Sequence, residues 1–438
     1  MTARPRPADS PPLWLVAPFF LAAPFGLIAG GLLLATSNSD ALVAINLPRT
    51  VAITHAAVIG WIATTIMGAV YQLGPVVVGG KLLWERLARF QFVVHCLAVA
   101  WFVLAVRAWN TEMMAVAGVL LALSFTLFVV NASACVIQAK ARSVTRAYLA
   151  AGLVFLAAAF SLGLTYAMTL RHLWFPITLG RLSAHAHIGL VGFIGLTLMG
   201  VSYQLVPMFA VVQHARQRLG RSALIVTVAS LVVFALGVGA GAGPWLRVAL
   251  AAAMAVGPSL WAIDQVHLLR NRGKRRLDVQ GYGTYLSVVF LGVTVALGLG
   301  AAWGTPATPN DEPARWLLAY GIAGVGGWAG LSLVGNSYKI LPFLLWFHRY
   351  LPRVGSGPVP VTADIYNDRA ANLVLVVQTI AVALGAAAAL FGTLPLLQAA
   401  GLLLALAGLG HEITLLHMFL PKAAARGAVA GGARGIPT

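Results

Sequence analysis

HAAVIGWIATTIMGAVYQLGP, residues 55–75, aligns without a gap to HIGLVGFIGLTLMGVSYQLVP, residues 187–207, an offset of 132 residues (187 − 55). The matches are Gly60/Gly192, Thr65/Thr197, Met67/Met199, Gly68/Gly200, Tyr71/Tyr203, Gln72/Gln204 and Pro75/Pro207. A third copy, GGWAGLSLVGNSYKILP from Gly326 to Pro342, keeps Gly327, Gly335, Tyr338 and Pro342 at a further offset of 135 (338 − 203). Three copies at near-equal spacing describe a chain built from repeated units. Their apolar, Gly-rich character places them on membrane helices, where small residues let helices approach closely.

Composition sets the surroundings of these motifs. The chain has 438 residues, 60% hydrophobic and only 9% charged, with a mean hydropathy of +0.88. That is more apolar surface than a soluble fold hides. Successive apolar runs each suffice to cross a hydrocarbon core of about 30 Å as a helix, and none shows the alternation of a barrel strand. The expected spans run roughly 12–36, 50–79, 87–107, 112–138, 145–170, 181–212, 221–241, 244–270, 281–303, 313–345, 368–391 and 394–419. The motif copies then fall on the second, sixth and tenth. The expectation is an all-α polytopic membrane helix bundle of about twelve transmembrane helices. It is a single transmembrane domain over 1–438, in three four-helix repeats at about 12–138, 145–270 and 281–419.

The net charge of +18 belongs to topology. No loop is long enough for a basic nucleic-acid-binding domain, so no nucleic-acid partner is expected. Twelve spans put both termini on one side, with 22 of the 29 Lys and Arg; only Arg49, Arg107, Arg171, Arg181, Arg247 and Arg315 fall on the other, and Lys339 lies within a span. The positive-inside rule makes the first side cytoplasmic. This is the pattern of a multi-pass protein of a bacterial inner membrane in contact with the lipid bilayer. The initial run is too long for a signal peptide and reads as the first span. Cys96 and Cys135 both lie in apolar runs, and no Cys-x-x-Cys-His offers covalent haem attachment.

The histidines carry the chemistry. The third copy has Ile322 where the second has His187, and Tyr320 where it has His185, so helix packing does not require histidine there. His55, His185 and His187 start their helices at similar depth near the outer face. Neutral imidazoles at one depth on neighbouring helices can clamp the iron of a flat macrocycle, giving bis-histidine b-type ligation. In His185-Ala186-His187 the side chains stand about 200° apart at about 100° per residue, so they face two compartments. If His187 shares an iron with His55, His185 points to a second cofactor or into packing. Arg49, Arg171 and Arg181 lie beside these histidines and suit haem propionates as well as lipid headgroups. His172 is a further loop histidine on this side.

Toward the cytoplasmic half stand His95, Asn131, Asp264, Asn336, Lys339, His411 and Glu412, polar groups that are costly in a membrane. Asp264, Lys339, His411 and Glu412 read as a proton path or as ion pairing, with Lys339–Glu412 the expected pair. His214, His267, His348 and His417 lie near cytoplasmic ends and are expected to snorkel.

The second-span histidine with its Gly-rich continuation, and above all SAHAHIGLVGFIGLTLMGVSYQLVP, make the sequence resemble subunit I of the haem-copper oxidases. The likeness is closest to the C-family that includes cytochrome c oxidases and nitric oxide reductases. The resemblance implies twelve helices in three arcs, His55 and His187 on a low-spin haem b, and His185 on a second, active-site haem. It also implies electron transfer or the binding and reduction of oxygen or nitric oxide, with cytochrome c or another redox subunit as partner. The family's copper is held by three histidines including an adjacent pair; this chain has no His-His dipeptide, which leaves copper and catalysis open. A weaker resemblance is to the NnrS-like haem- and copper-containing membrane proteins associated with nitric oxide tolerance. The competing class is a transporter or assembly scaffold without haem, whose repeats would form a substrate path.

Overall fold

A computed structural model describes residues 11–139, 142–212, 216–304 and 312–421. Lys140 and His214, and the basic residues of both chain ends (Arg4, Arg6, Lys422, Arg426 and Arg434), lie outside them. Among the described residues there are twelve helices long and apolar enough to cross a membrane: α1 Leu13–Ala35, α2 Pro48–Val78, α3 Glu85–Arg107, α4 Thr111–Gln138, α5 Val144–His172, α6 Leu179–Ala210, α7 Gln217–Gly239, α8 Pro244–Arg270, α9 Val279–Gly304, α10 Ala314–Arg349, α11 Asp368–Phe391 and α12 Leu394–Met418. The chain is an all-α, multi-pass membrane protein. Leu97, Leu104, Ile137 and Phe391 point outward from the bundle, mostly exposed. In a soluble protein such a surface would be a liability, and here it is the lipid-facing wall.

The helices form a closed ring of three arcs. Within each, the last two helices pair: α3 with α4, α7 with α8, α11 with α12; neighbouring arcs join through α4–α5, α8–α9 and α12–α1. The second helix of each arc, α2, α6 or α10, turns inward. Each of these three carries a π-helical stretch: Ala56–Ala63, Ile188–Gly195 and Ala323–Ala329. The stretches begin one residue after the aligned positions 55, 187 and 322, so the repeat offsets of 132 and 135 carry one irregularity onto the next. All three touch one another, and their meeting line is the axis of the bundle. π-Helical turns inside α-helices are rare and frequently mark functional sites.

Glycine makes the close meetings feasible. A side chain at Gly60 would meet Gly26 on α1, one at Gly192 would meet Phe155 on α5, and one at Gly327 would meet Phe290 on α9. About two turns lower, Gly68 packs on Phe19, Gly200 on Tyr148 and Gly335 on Gly283. These six contacts occupy matching positions in the three arcs, so the repeat is expressed contact by contact. Across the axis, the Trp61 ring lies on Gly330, and the Trp328 ring lies where a Cβ at Gly195 would come within 2.8 Å. Trp61, Phe193 and Trp328 are aligned residues, as are Ala63, Gly195 and Gly330. Trp61 of the first arc thus fills the small position of the third, and Trp328 of the third fills that of the second. The aligned residues left over are a smaller ring, Phe193, and a larger small residue, Ala63.

Gly26 faces the Gly60 backbone, which cannot step aside as a side chain can. Gly26→Ala is therefore expected to destabilise the purified protein by about 1–3 kcal/mol through overpacking. Gly292, where an added Cβ meets nothing within 4 Å, is the control: Gly292→Ala should be neutral or stabilising by a few tenths to about 1 kcal/mol. Thermal unfolding in detergent reads both.

Candidate functional site: a histidine-lined cavity at the head of the central helices

Below the heads of α2, α6 and α10 lies a cavity of about 860 Å³. That is within the range of about 300–1,000 Å³ usual for cofactor sites. Its walls are chiefly apolar, and His55, His185, His187, Tyr320, Arg181 and Arg247 bring polar groups to them.

His55 and His187 are set in the same way. His55 Nδ1 donates to Val51 O at 2.8 Å and His187 Nδ1 donates to Ser183 O at 2.7 Å, both four residues back. A carbonyl only accepts, so Nδ1 carries the proton and Nε2 presents a lone pair. This is how proteins orient histidine ligands, with the distal nitrogen pinned by a backbone carbonyl. Each ring also packs on a phenylalanine of the next helix, Phe102 at 5.1 Å and Phe234 at 4.6 Å between centroids. Phe102 and Phe234 are again 132 residues apart.

What faces each ring differs. His187 Nε2 accepts a hydrogen bond from the Tyr320 hydroxyl at 2.9 Å, with the two rings nearly parallel at 22°. Tyr320 belongs to the third arc. His55 and His185 of the second arc line the same cavity. Tyr320 is the aligned equivalent of His185. Ile53, the residue aligned with His185 and Tyr320 in the first arc, and Ile322 line the cavity and pack on one apolar cluster. Of the three aligned combinations, His55 with His185, His187 with Tyr320 and Ile322 with Ile53, the second is joined by a hydrogen bond. His55 and His187 line the same cavity, and the Nε2 of His187 is occupied by the Tyr320 hydroxyl.

His185 stands apart in its bonding. Its Nδ1 is buried without a hydrogen-bond partner, and its ring packs edge-on to Tyr166 at 5.7 Å. It lies over Gly163, where a Cβ would come within 3.1 Å of its Cε1. An unpartnered nitrogen in such a wall is costly unless a ligand engages it.

Of the three arginines expected beside the histidines, Arg181 lines the cavity, with Nη1 donating to Pro176 O at 2.7 Å. Arg49 reaches Thr36 Oγ1 at 3.2 Å, and Arg171 sits 3.5 Å from Glu112 near the surface; neither is among the lining residues. Arg247 and Tyr320 are lining residues that the sequence reading did not single out. The signal for Tyr320 was present in the alignment, where it replaces a histidine. His172 stacks on Trp174 in the connection between α5 and α6.

Several polar groups at the other end have local partners, while both Asp264 carboxylate oxygens and Glu412 Oε2 are buried without a hydrogen bond among the described residues. Lys339 Nζ lies 2.9 Å from Asp278 Oδ2, which also takes Lys274 at 3.1 Å. The lysine thus pairs with Asp278 and not with Glu412. His411 Nδ1 meets the Tyr338 hydroxyl at 2.8 Å, and Glu412 is buried beside it in sequence. Asp264, fully buried, is 4.0 Å from Arg216 Nε. His95 bridges Thr64 Oγ1 and Ser124 Oγ at 3.0 and 3.2 Å, and Asn131 holds the backbone of Leu83 and Trp84. Asn336 donates to Ser332 O one turn back. His267 meets Arg216, and His348 meets Pro11 O.

Among the described residues no three His, Cys, Asp or Glu side chains come together as a metal-ion set. An axial pair on a haem needs only two. Neither a protein-family model nor a curated protein sequence matches the chain.

Asp278 lies just outside α9. Burial alone would raise its pKa, but the hydrogen bond and charge of Lys339, the Gly281 N–H and Lys274 together hold it below its ordinary value. A depressed carboxyl contributes stability above its unfolded pKa of about 4, and that contribution is lost as pH falls through the folded value. Thermal stability is expected to decline from about pH 4 downward, with the decline reduced in Asp278→Asn; a scan of melting temperature against pH measures it.

Proposed function

We propose that this chain is a membrane-embedded b-type haem protein that holds its iron between imidazoles of neighbouring central helices and carries electrons. The observation that supports the reading most is the cavity itself. Histidines from two arcs open onto one apolar chamber, and the carbonyl of Val51 fixes the proton of His55 on the far nitrogen. A lone pair aimed into a low-dielectric chamber is what an iron ligand requires.

The chain's own residues fit such a group in three ways. Imidazoles supply the axial nitrogens, and the isoleucine pair with the surrounding apolar walls suits the macrocycle's faces. Arg181 and Arg247 supply cations suited to propionate carboxylates. When bound, a haem supplies one-electron exchange at the iron, and its potential is set by the axial ligands and the dryness of the pocket. Two imidazoles on one iron fill both axial positions. The reading is therefore electron transfer, with gas binding requiring that one histidine depart. In the orientation set by the positive-inside rule, the site lies toward the outer face of a bacterial inner membrane, where a soluble or membrane-anchored redox protein could exchange electrons with it.

Protein purified in detergent, as isolated or after addition of hemin, is expected to show a Soret band and, on reduction, the sharp α-band of a six-coordinate low-spin haem b. His55→Ala should abolish the six-coordinate spectrum and lose most of the bound haem. A colourless protein that takes up no hemin overturns the reading in favour of a transporter or scaffold.

A further inference from the structure

Three aligned residue combinations from the three arcs line one cavity, and the difference in their chemistry identifies which of them can hold iron. At the interface of the second and third arcs, His187 has no nitrogen to offer. Its Nδ1 is bound to Ser183 O, and its Nε2 is bound to the Tyr320 hydroxyl at 2.9 Å. At the third and first, Ile322 and Ile53 have no ligating atom. At the first and second, His55 keeps Nε2 clear of its backbone bond, and His185 keeps a buried Nδ1 without a partner. Of the three combinations, His55 with His185 alone brings two imidazoles with uncommitted nitrogens to the cavity wall.

Resting on the haem reading above, we infer that the iron's axial ligands are His55 and His185, and that Tyr320 excludes iron from the neighbouring interface by capping His187. Tyr320 is thus a specificity-determining residue acting through His187, which it holds as a hydrogen-bond acceptor. The cost of ligation at the two interfaces differs accordingly. A ligand binding His187 must break a buried hydrogen bond and strand the tyrosine hydroxyl, whereas one binding His185 satisfies a nitrogen that otherwise has nothing. This assignment departs from what the oxidase resemblance implies, in which His187 would share the low-spin haem with His55.

Because Tyr320 and His185 are aligned residues, exchanging them tests the inference with the full chain and without altering its composition. Haem per chain is measured after hemin addition, with the absorption and paramagnetic resonance spectra reporting coordination. His185→Tyr is expected to lose the six-coordinate low-spin spectrum. The double variant His185→Tyr with Tyr320→His is expected to regain it at one haem per chain, now at the interface of the second and third arcs. His187→Ala should retain the wild-type spectrum, and then abolish it when added to the double variant. Independently of haem, the ¹⁵N resonance of His187 Nε2 in the apoprotein should shift in Tyr320→Phe, while those of His55 stay in place. If His185→Tyr keeps its low-spin haem, if His187→Ala loses it, or if the exchange does not restore it, the assignment is overturned while the haem reading stands. If the wild-type protein takes up no hemin, both fall together, and the nitrogen resonance then reports the Tyr320 bond alone.

Discussion

Three backbones converge on one line at the centre of this bundle, and they can do so only where side chains are withdrawn. Trp61 needs Gly330 beneath it and Trp328 needs Gly195. Where the small residue is Ala63, the aligned ring is the smaller Phe193. At these two tryptophan contacts the volume one arc projects across the axis is matched by the volume the receiving arc gives up. In a bilayer the association of helices is driven by this close packing and not by exclusion from water, so the fit at the axis holds the arcs together as well as locating them.

The consequences reach the site through the π-helical stretches. Each begins directly after position 55, 187 or 322, so those side chains leave the helix from the last regular turn before the axis. Their i − 4 carbonyls remain in α-helical geometry, and Val51 and Ser183 use them to fix the two histidines. A wider turn below and a regular turn above give the three positions a common setting at the cavity. The aligned residues brought there differ in chemistry: His55 and His185, His187 and Tyr320, Ile322 and Ile53.

Elsewhere many intramembrane polar groups are answered by neighbours, while the Asp264 carboxylate oxygens, the Gln265 amide and Glu412 Oε2 are buried without a hydrogen bond among the described residues. Lys339 takes the place that glutamine holds in the first two repeats, and Asp278 with Lys274 balances it at the end of α9. The repeated tyrosine takes a different partner in each arc: Gln91 for Tyr71, the tilted ring of Tyr148 for Tyr203, and His411 for Tyr338. These arrangements explain groups such as His95 and Lys339 as structural, since a buried polar group that has its partners is inexpensive and one without them is not.

Hydropathy and repetition determined the membrane bundle, the number of spans and the kinship of the three central helices. A helix crossing lipid must be long and apolar, and that requirement is written locally. The ends agree within a few residues: 12–36 was expected where α1 runs Leu13–Ala35, and 368–391 where α11 runs Asp368–Phe391. The alignment also marked the residues of the site, His55, His185 and His187, together with the tyrosine that replaces one of them. Which imidazole faces which partner was decided by tertiary structure alone. That depends on how the arcs are rotated about their common axis, a property of glycine contacts between helices more than a hundred residues apart. The same holds for Lys339, whose partner lies across two helices, and for Arg247, brought to the cavity from the head of α8. Periodicity fixes the angle of a side chain around its own helix, and only the packed ring of arcs fixes what stands opposite.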